Sequence, residues 1–345
     1  MNAIDPNLTA PQTAVDMTHG GGGRAMAELI REVFHRHLGN SHLARGNDGA
    51  VLELPPGRVV VSTDGHVISP LFFPGGDIGC LAVHGTVNDV AMMGARPLYL
   101  TAGFILEEGF SLADLEKIVM SMAEAARAAG VEIVTGDTKV VEHGKGDGIF
   151  ITTTGLGVIP EGISISGDQA RPGHAIIVSG TIGDHGLAIL SRRENLEFET
   201  EIQSDTAALN GLVAEMLAAF PGIKVLRDPT RGGLAATLNE IALQSKVGMM
   251  LDERAIPIKR DVAAGCELLG LDPLYVANEG KLIAICEMDD ADRLLQVMRA
   301  HALGRDAANI GTVVDDRHAM VQMRTAFGGA RVVDYLAGEQ LPRIC

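Results

Sequence analysis

Apolar runs in this chain are short and come in two series, parted by the polar, glycine- and proline-rich stretch from Pro160 to Pro172. In the first series, Met26, Leu29, Ile30, Val33, Phe34 and Leu38 recur at helical spacing and predict an amphipathic helix ending near Gly39. "RVVVSTD" reads as a buried strand that delivers Asp64 to its end, followed by a small-residue helix from Asp77 to Gly94 and the strand "PLYLTAGFIL". Ser111, an N-cap with Asp114 three residues on, opens a second helix that Gly130 closes. "VEIV" is then a strand presenting "TGDTK" at its C-terminal end, and "IFITTTGLGVIP" is another. Past the break the pattern restarts with "HAIIVSGTIGDHGLAIL", a strand, a glycine turn and a helix start. A helix from about Asp205 to Phe220, a helix fed by "RDPTRGG", the strand "KLIAICE" and a helix from about Asp289 to His301 complete it. Strands and helices mix in both series without strict βαβ alternation, so the expected class is α+β in two domains. The expected divisions are 1–40 for a mobile glycine-rich arm and the first helix, 41–165 for the rest of the N-terminal domain, 166–335 for the C-terminal domain and 336–345 for a flexible tail.

A length of 345 residues suits two domains of ordinary size. Only 3% of residues are aromatic and Trp is absent, so the core must rest on Ala, Val, Ile, Leu and the 14 Met. No run of about 18 apolar residues occurs and the start lacks a basic region with an apolar stretch, so neither a membrane span nor a signal peptide is expected, and the cytoplasm is the expected location. A formal net charge of −16, with no Lys/Arg cluster to offset it, argues against nucleic acid as a partner. The four cysteines, Cys80, Cys266, Cys286 and Cys345, form no C-x-x-C pair, so no zinc knuckle or disulfide scaffold is suggested. Three sit in apolar runs and read as buried thiols, whereas Cys345 is the final residue, after "LPRI".

Acidic residues recur among small ones: Asp48 in "GNDGAV", Asp64 in "STDGHV", Asp89 in "TVNDVA", and Asp137 in "TGDTKVV" with Thr138 and Lys139 after it. Each alone reads as a turn or cap residue. Together they suit Mg²⁺ holding a nucleotide triphosphate, since that ion takes hard oxygen ligands from separate segments while a lysine neutralises phosphate. Gly20 to Gly23 precede a helix, so the amides of Gly21 and Gly22 could close on phosphate, or the four glycines are a linker. No G-x-x-x-x-G-K-[ST] or G-x-G-x-x-G occurs, which argues against a P-loop or dinucleotide fold. "RDPTRGG" sets Arg227, Asp228, Thr230 and Arg231 before a helix, as an anion site or as an Arg–Asp pair capping it. Glu279 and Lys281 in "ANEGKL" read as a salt-bridged turn or as a carboxylate base. His35 and His37 fall on a solvated helix face, while His66 and His185 adjoin candidate site turns.

The segments "STDGHVISPLFFPGGDIG", "GTVNDVAMMGARP", "GFILEEG", "VTGDTKVV", "SGTIGDHG", "RDPTRGG", "ANEGKL" and the terminal "LPRIC" together resemble one family over nearly the whole chain. This is the HypE family of hydrogenase-maturation carbamoyl dehydratases, in the PurM-like superfamily of aminoimidazole ribonucleotide synthetase-related ATP enzymes. The resemblance implies a two-domain PurM-like architecture whose N-terminal domain pairs its sheet with a second protomer. It implies ATP-dependent dehydration of an S-carboxamide on Cys345 to a thiocyanate, the source of the cyanide ligand of [NiFe] hydrogenases. Cys345 would carry the group, Asp48, Asp64, Asp89 and Asp137 would hold Mg²⁺ with ATP, Lys139 would contact phosphate or the carbamoyl oxygen, and Glu279 would take the proton. His66, Thr138, Gly21, Gly22 and Arg231 complete the expected nucleotide contacts. Implied partners are a second copy, the carbamoyltransferase HypF and a HypC–HypD scaffold complex. One departure is the pair Asn47–Asp48, where many superfamily members carry two adjacent acids, which bears on how many metal ions bind. Two other readings stand beside this one: an ATP-dependent kinase or synthetase of a diffusible small molecule, and a nucleotide-switched, thiol-tailed scaffold. Extended, residues 336–345 span at most roughly 33–36 Å, enough to cross a domain face.

Overall fold

The structure is a computed structural model that describes residues 13–194, 202–336 and 343–345. After the helical turn Met17–Gly20, the turns α1 (Arg24–Leu29), a π-type segment Ile30–His35 and α2 (Arg36–Leu38) run on into one amphipathic helix that ends at Gly39. The first half then supplies β1 (Arg58–His66), β2 (Phe72–Phe73), β3 (Gly76–Asp77), α3 (Ile78–Met92), β4 (Arg96–Glu107), α4 (Leu112–Ala129), β5 (Glu132–Val141) and β6 (Ile149–Ile159). The four long strands form one sheet in the order β1-β6-β4-β5, with β4 and β5 parallel and the other neighbours antiparallel. Asp77 caps α3 by accepting from the Gly79 and Cys80 amides, Ser111 caps α4, and Gly130 closes α4 in the left-handed conformation.

Helices α3 and α4 cover one face of this sheet, burying Leu81, Val83, Leu115, Ile118 and Met122 against Leu100, Phe104 and Ile151. The other face is open: Val59 is 51% exposed and Val61 63%.

The second half contributes β7 (His174–Val178), α5 (Asp184–Arg193), α6 (Asn210–Ala219), β8 (Val225–Arg227), α7 (Gly233–Ser245), β9 (Gly248–Asp252), α8 (Arg260–Leu269), β10 (Ile283–Glu287), α9 (Met288–Ala300), β11 (Ala308–Val314), β12 (Val321–Arg324) and β13 (Ala330–Val332). Its strands form a seven-stranded sheet in the order β13-β12-β9-β11-β7-β10-β8, in which the β12–β9 pair is parallel. The class is α+β, as expected. No helix among the described residues is long and apolar enough to cross a membrane.

Several expectations change. From residue 13 the N-terminal arm is tied down: Val15 is buried and its amide donates to the Phe110 carbonyl at 2.8 Å, while Gly109 donates back to Val15. Residues 1–12 lie outside the described residues, as do 337–342 of the tail. Strands β1 and β5 run past Asp64 and Asp137, because pairing with β6 and β4 continues to His66 and Val141, so neither acid ends its strand. Helix α6 starts at Asn210, since residues 204–206 carry no regular structure and are bonded elsewhere.

Candidate active site

A cleft between the two halves is lined by the end of β1, by α3, by α5, by the turn 227–233 and by the turn 277–281. Strand periodicity sets the first wall. Ser62, Asp64 and His66 alternate along β1 onto the face covered by α3, where the Ser62 hydroxyl donates to Asp89 at 2.7 Å. His66 is buried against Thr153 and stands 3.8 Å from Asp64. Gly85 on α3 makes room here, because a Cβ at that position would lie 3.1 Å from the His66 ring and 3.3 Å from Asp64. Burial holds the His66 imidazole neutral, with Asp64 opposing.

The second wall comes from the C-terminal half. Gly232 and Gly233 take positive φ to turn the chain into α7, and a Cβ on Gly233 would strike the Leu274 and Val276 carbonyls at 2.6 and 2.7 Å. Arg227 pairs with Glu240 rather than capping the helix with Asp228, which leaves Asp228 facing the other acids. Burial and then Asp89 push Asp228 up to about 7, with Arg227 opposing and Asp64 adding to the rise. Asp89 is also raised, by burial first and by Asp64.

Glu279 is buried in the same site. It is 5% exposed, and its Oε1 is buried without a hydrogen-bond partner. Burial, then the Asp205, Asp228, Asp64 and Asp89 carboxylates, hold its carboxyl well above the usual range. Its turn is fixed from behind: Asp205 accepts the Glu279 amide and the Lys281 ammonium, each at 3.0 Å. Against the cost of burial, the Lys281 ammonium holds Asp205 below the usual carboxylate range.

The C-terminus closes the cleft. Residues 343–345 lie antiparallel to the segment after β1: the Val67 amide donates to the Cys345 carbonyl at 2.9 Å and the Ser69 amide to the Arg343 carbonyl at 3.3 Å. Ile344 is 3% exposed and joins the N-terminal core, Arg343 pairs with Asp147, and His185 meets the Ile344 carbonyl at 2.7 Å. Burial and then Glu279 push the Cys345 thiol up to about 12, Arg231 offsetting part and Asp64 adding to it. Thiol, base candidate and carboxylates thus share one site.

Of the expected residues, the chain brings together Asp64, His66, Asp89, Arg231, Glu279 and Cys345. It does not bring Asp48 or Asp137 to them. Asp48 is on an exposed bend ahead of β1. Asp64 is level with Thr153, Ala102 and Gly136 across the sheet, so Asp137 falls on the opposite face, roughly 14 Å away by strand spacing. There Asp137 pairs with Lys139 and accepts the Thr138 amide. The Gly20–Gly23 turn, with Gly21 and Gly22, sits beside this strand, since a Cβ on Gly20 would meet Val140 at 3.0 Å. A cavity of about 140 Å³ between the first helix and β4–β5 reaches Asp137 and Thr138. Among the described residues no three His, Cys, Asp or Glu side chains already stand close enough to hold a metal ion. The donor set still fits one: Asp64, Asp89 and Asp228 are hard oxygen donors whose mutual repulsion a divalent cation relieves.

Asp205 carries no site signal in the sequence, because its "SDT" setting reads as a helix start, and Ser62 is an ordinary strand residue until the fold sets Asp89 beside it. The glycine turn marks His185 in the sequence, but its contact with the tail arises only in the fold.

The "AIR synthase related protein, N-terminal domain" family matches residues 46–159, and the corresponding C-terminal domain family matches residues 171–324. A carbamoyl dehydratase HypE from Azotobacter vinelandii is 70% identical over 332 residues, covering 96% of this chain and 97% of its own. The Escherichia coli K12 carbamoyl dehydratase HypE is 47% identical, with 96% and 99% covered. A crystal structure of the hydrogenase maturation protein HypE in complex with ATP superposes with a TM-score of 0.92 at 53% identity, covering 95% of this chain and 99% of that one. The matching chain of a HypE–HypF complex gives a TM-score of 0.79 at 51% identity, with 89% and 99% covered.

Proposed function

The chain belongs to the AIR synthase related proteins and, within them, to the HypE carbamoyl dehydratases of hydrogenase maturation, and on that premise we propose that it dehydrates an S-carboxamide carried on its own Cys345. The observation that carries this reading is the docking of the terminal cysteine in the cleft where Glu279 is buried with an unpartnered oxygen. The net reaction converts Cys–S–C(=O)NH₂ and ATP to Cys–S–C≡N, ADP, phosphate and a proton. ATP supplies the phosphoryl group that turns the amide oxygen into a leaving group; Asp64, Asp89 and Asp228 are the residues that would hold Mg²⁺, which would supply charge neutralisation.

The chain's own residues do the rest. Glu279, held protonated by burial and by its acidic neighbours, would act as a base once a bound cation offsets those neighbours and it ionises. It then takes one N–H proton and the departing phosphate takes the other as the C–O bond to phosphate breaks and the C≡N bond forms. Arg231, whose charge acts on the Cys345 thiol, would offset the charge that develops on the departing oxygen. Burial of Ile344 and of the cleft floor excludes water, which would hydrolyse the activated carbamoyl group. Lys139 and Asp137 on the open sheet face, with Asp48, Thr138, Gly21 and Gly22, would join the nucleotide site where a second copy covers that face. A homodimer in the cytoplasm, loaded by HypF and unloaded to a HypC–HypD scaffold, completes the proposal. The HypE–HypF structure supports the first of these protein partners.

Intact-mass analysis tests it. Adding the carbamoyl-donating partner should add one carbamoyl group, and Mg-ATP should then remove one water, both mapping to the C-terminal peptide. In Cys345→Ala both changes should vanish, and in Glu279→Gln the first should persist without the second. Water loss from carbamoylated Glu279→Gln at the wild-type rate would remove Glu279 as base.

A further inference from the structure

The docked tail is gripped by its main chain. Besides the two amides from Val67 and Ser69, the Arg193 guanidinium donates to the Arg343 carbonyl at 2.9 Å. The Ile344 carbonyl meets Nε2 of His185 at 2.7 Å. A carbonyl only accepts, so Nε2 carries a proton, and burial keeps the ring neutral, which leaves Nδ1 as an acceptor. Nδ1 takes the hydroxyl proton of Ser204 at 2.7 Å, and the Ser204 oxygen accepts the Thr206 amide at 3.1 Å. The relay has one direction, from a backbone N–H through serine and imidazole to the tail. Phe73 packs edge-on against the ring and fixes its plane.

Between Ser204 and Thr206 stands Asp205, which holds the Glu279 amide and Lys281. Thr206 reaches across to His84 on α3 at 3.0 Å. The three-residue strap therefore ties the anchor of the tail, the turn of the base and the N-terminal half to one another. Cys345 and Glu279 arrive on separate segments, and their register passes through this strap.

We propose that His185 is the positioning residue that holds the terminal cysteine in register with Glu279, with Ser204 fixing its tautomer. The proposal rests on the reading of Cys345 as the carrier, and its test separates the two. Alkylation of Cys345 by iodoacetamide in the full-length protein, followed on the C-terminal peptide, reports docking without any ATP chemistry. His185→Ala should be alkylated about tenfold faster than wild type, and Ser204→Ala about threefold faster, as expected for losing or loosening one hydrogen bond. His185→Gln, which can present an amide N–H to the same carbonyl, should return toward the wild-type rate. In the carbamoylated protein, His185→Ala should lower kcat for water loss while KM for ATP stays within about twofold. Wild-type alkylation rates in both His185→Ala and Ser204→Ala would overturn the proposal. If His185→Ala does not fold, a wild-type rate in Ser204→Ala would do so alone. Faster alkylation in the variants, with no dehydration by wild type, would refute the reaction and leave the anchor standing.

Discussion

At the scale of single residues, the cleft is a place where carboxylates crowd faster than cations arrive. Asp228 carries a proton up to about pH 7 in the fold, against 3.8 when exposed. The native state thus binds that proton more tightly than the unfolded chain. Its contribution to stability is complete below about pH 3.8 and is lost as pH rises through 7. Without nucleotide or metal, Asp228→Asn should therefore be more stable than wild type at pH 8, on the order of 2 kcal/mol, with the advantage shrinking toward pH 4 in calorimetry. Mg²⁺ should raise the melting temperature of wild type more than that of the variant. Asp64 and Asp89 were legible as candidates because several acids recur among small residues in one half of the chain, although each alone reads as a turn or cap residue, and Glu279 was legible only as one of two readings of its turn. Asp205 was not, because a buried acid that braces a neighbour has the same local sequence as a helix cap.

At the scale of elements, the last three residues dock as a short segment antiparallel to residues 67–69. Their hold is two backbone bonds to residues 67–69, the His185 and Arg193 contacts, the Arg343–Asp147 pair, and the burial of Ile344. Ile344→Ala should cost about 2 kcal/mol of docking and so release the tail roughly thirtyfold, read as loss of hydrogen-exchange protection at Val67 and Ser69 with the rest of the sheet unchanged. A Cβ on Gly280 would drive into the Asp205 carbonyl, so Gly280→Ala should disturb the strap and the Glu279 turn together. It should slow water loss while leaving carbamoylation of the tail intact, which intact mass separates. Long helices were readable from their caps and periodicity, as at Ser111 and Gly130. The short strands β8, β12 and β13, three or four residues each, carry too little pattern to be read and exist through their neighbours in the sheet.

At the scale of the whole molecule, the open face of the first sheet bears Val59, Val61 and Ile105 beside Asp137 and Lys139. If a second copy covers it, Val61→Lys should halve the mass seen by light scattering and weaken ATP binding, while the thiol of Cys345 stays docked. The sequence alone set the class, the break between the two halves, the acid-rich segments and the terminal thiol, because hydrophobic period and turn chemistry are local properties. It could not set which acids meet. Asp64 and Asp137 look alike along the chain, yet strand register puts them on opposite faces, while Asp228, Glu279 and Cys345, which are distant in sequence, converge on one cleft. Side-chain direction in a sheet alternates residue by residue, so continuing a strand past its expected end decides which side of the molecule a carboxylate serves. That decision belongs to the pairing of β1 with β6 and of β5 with β4, and only the tertiary structure contains it.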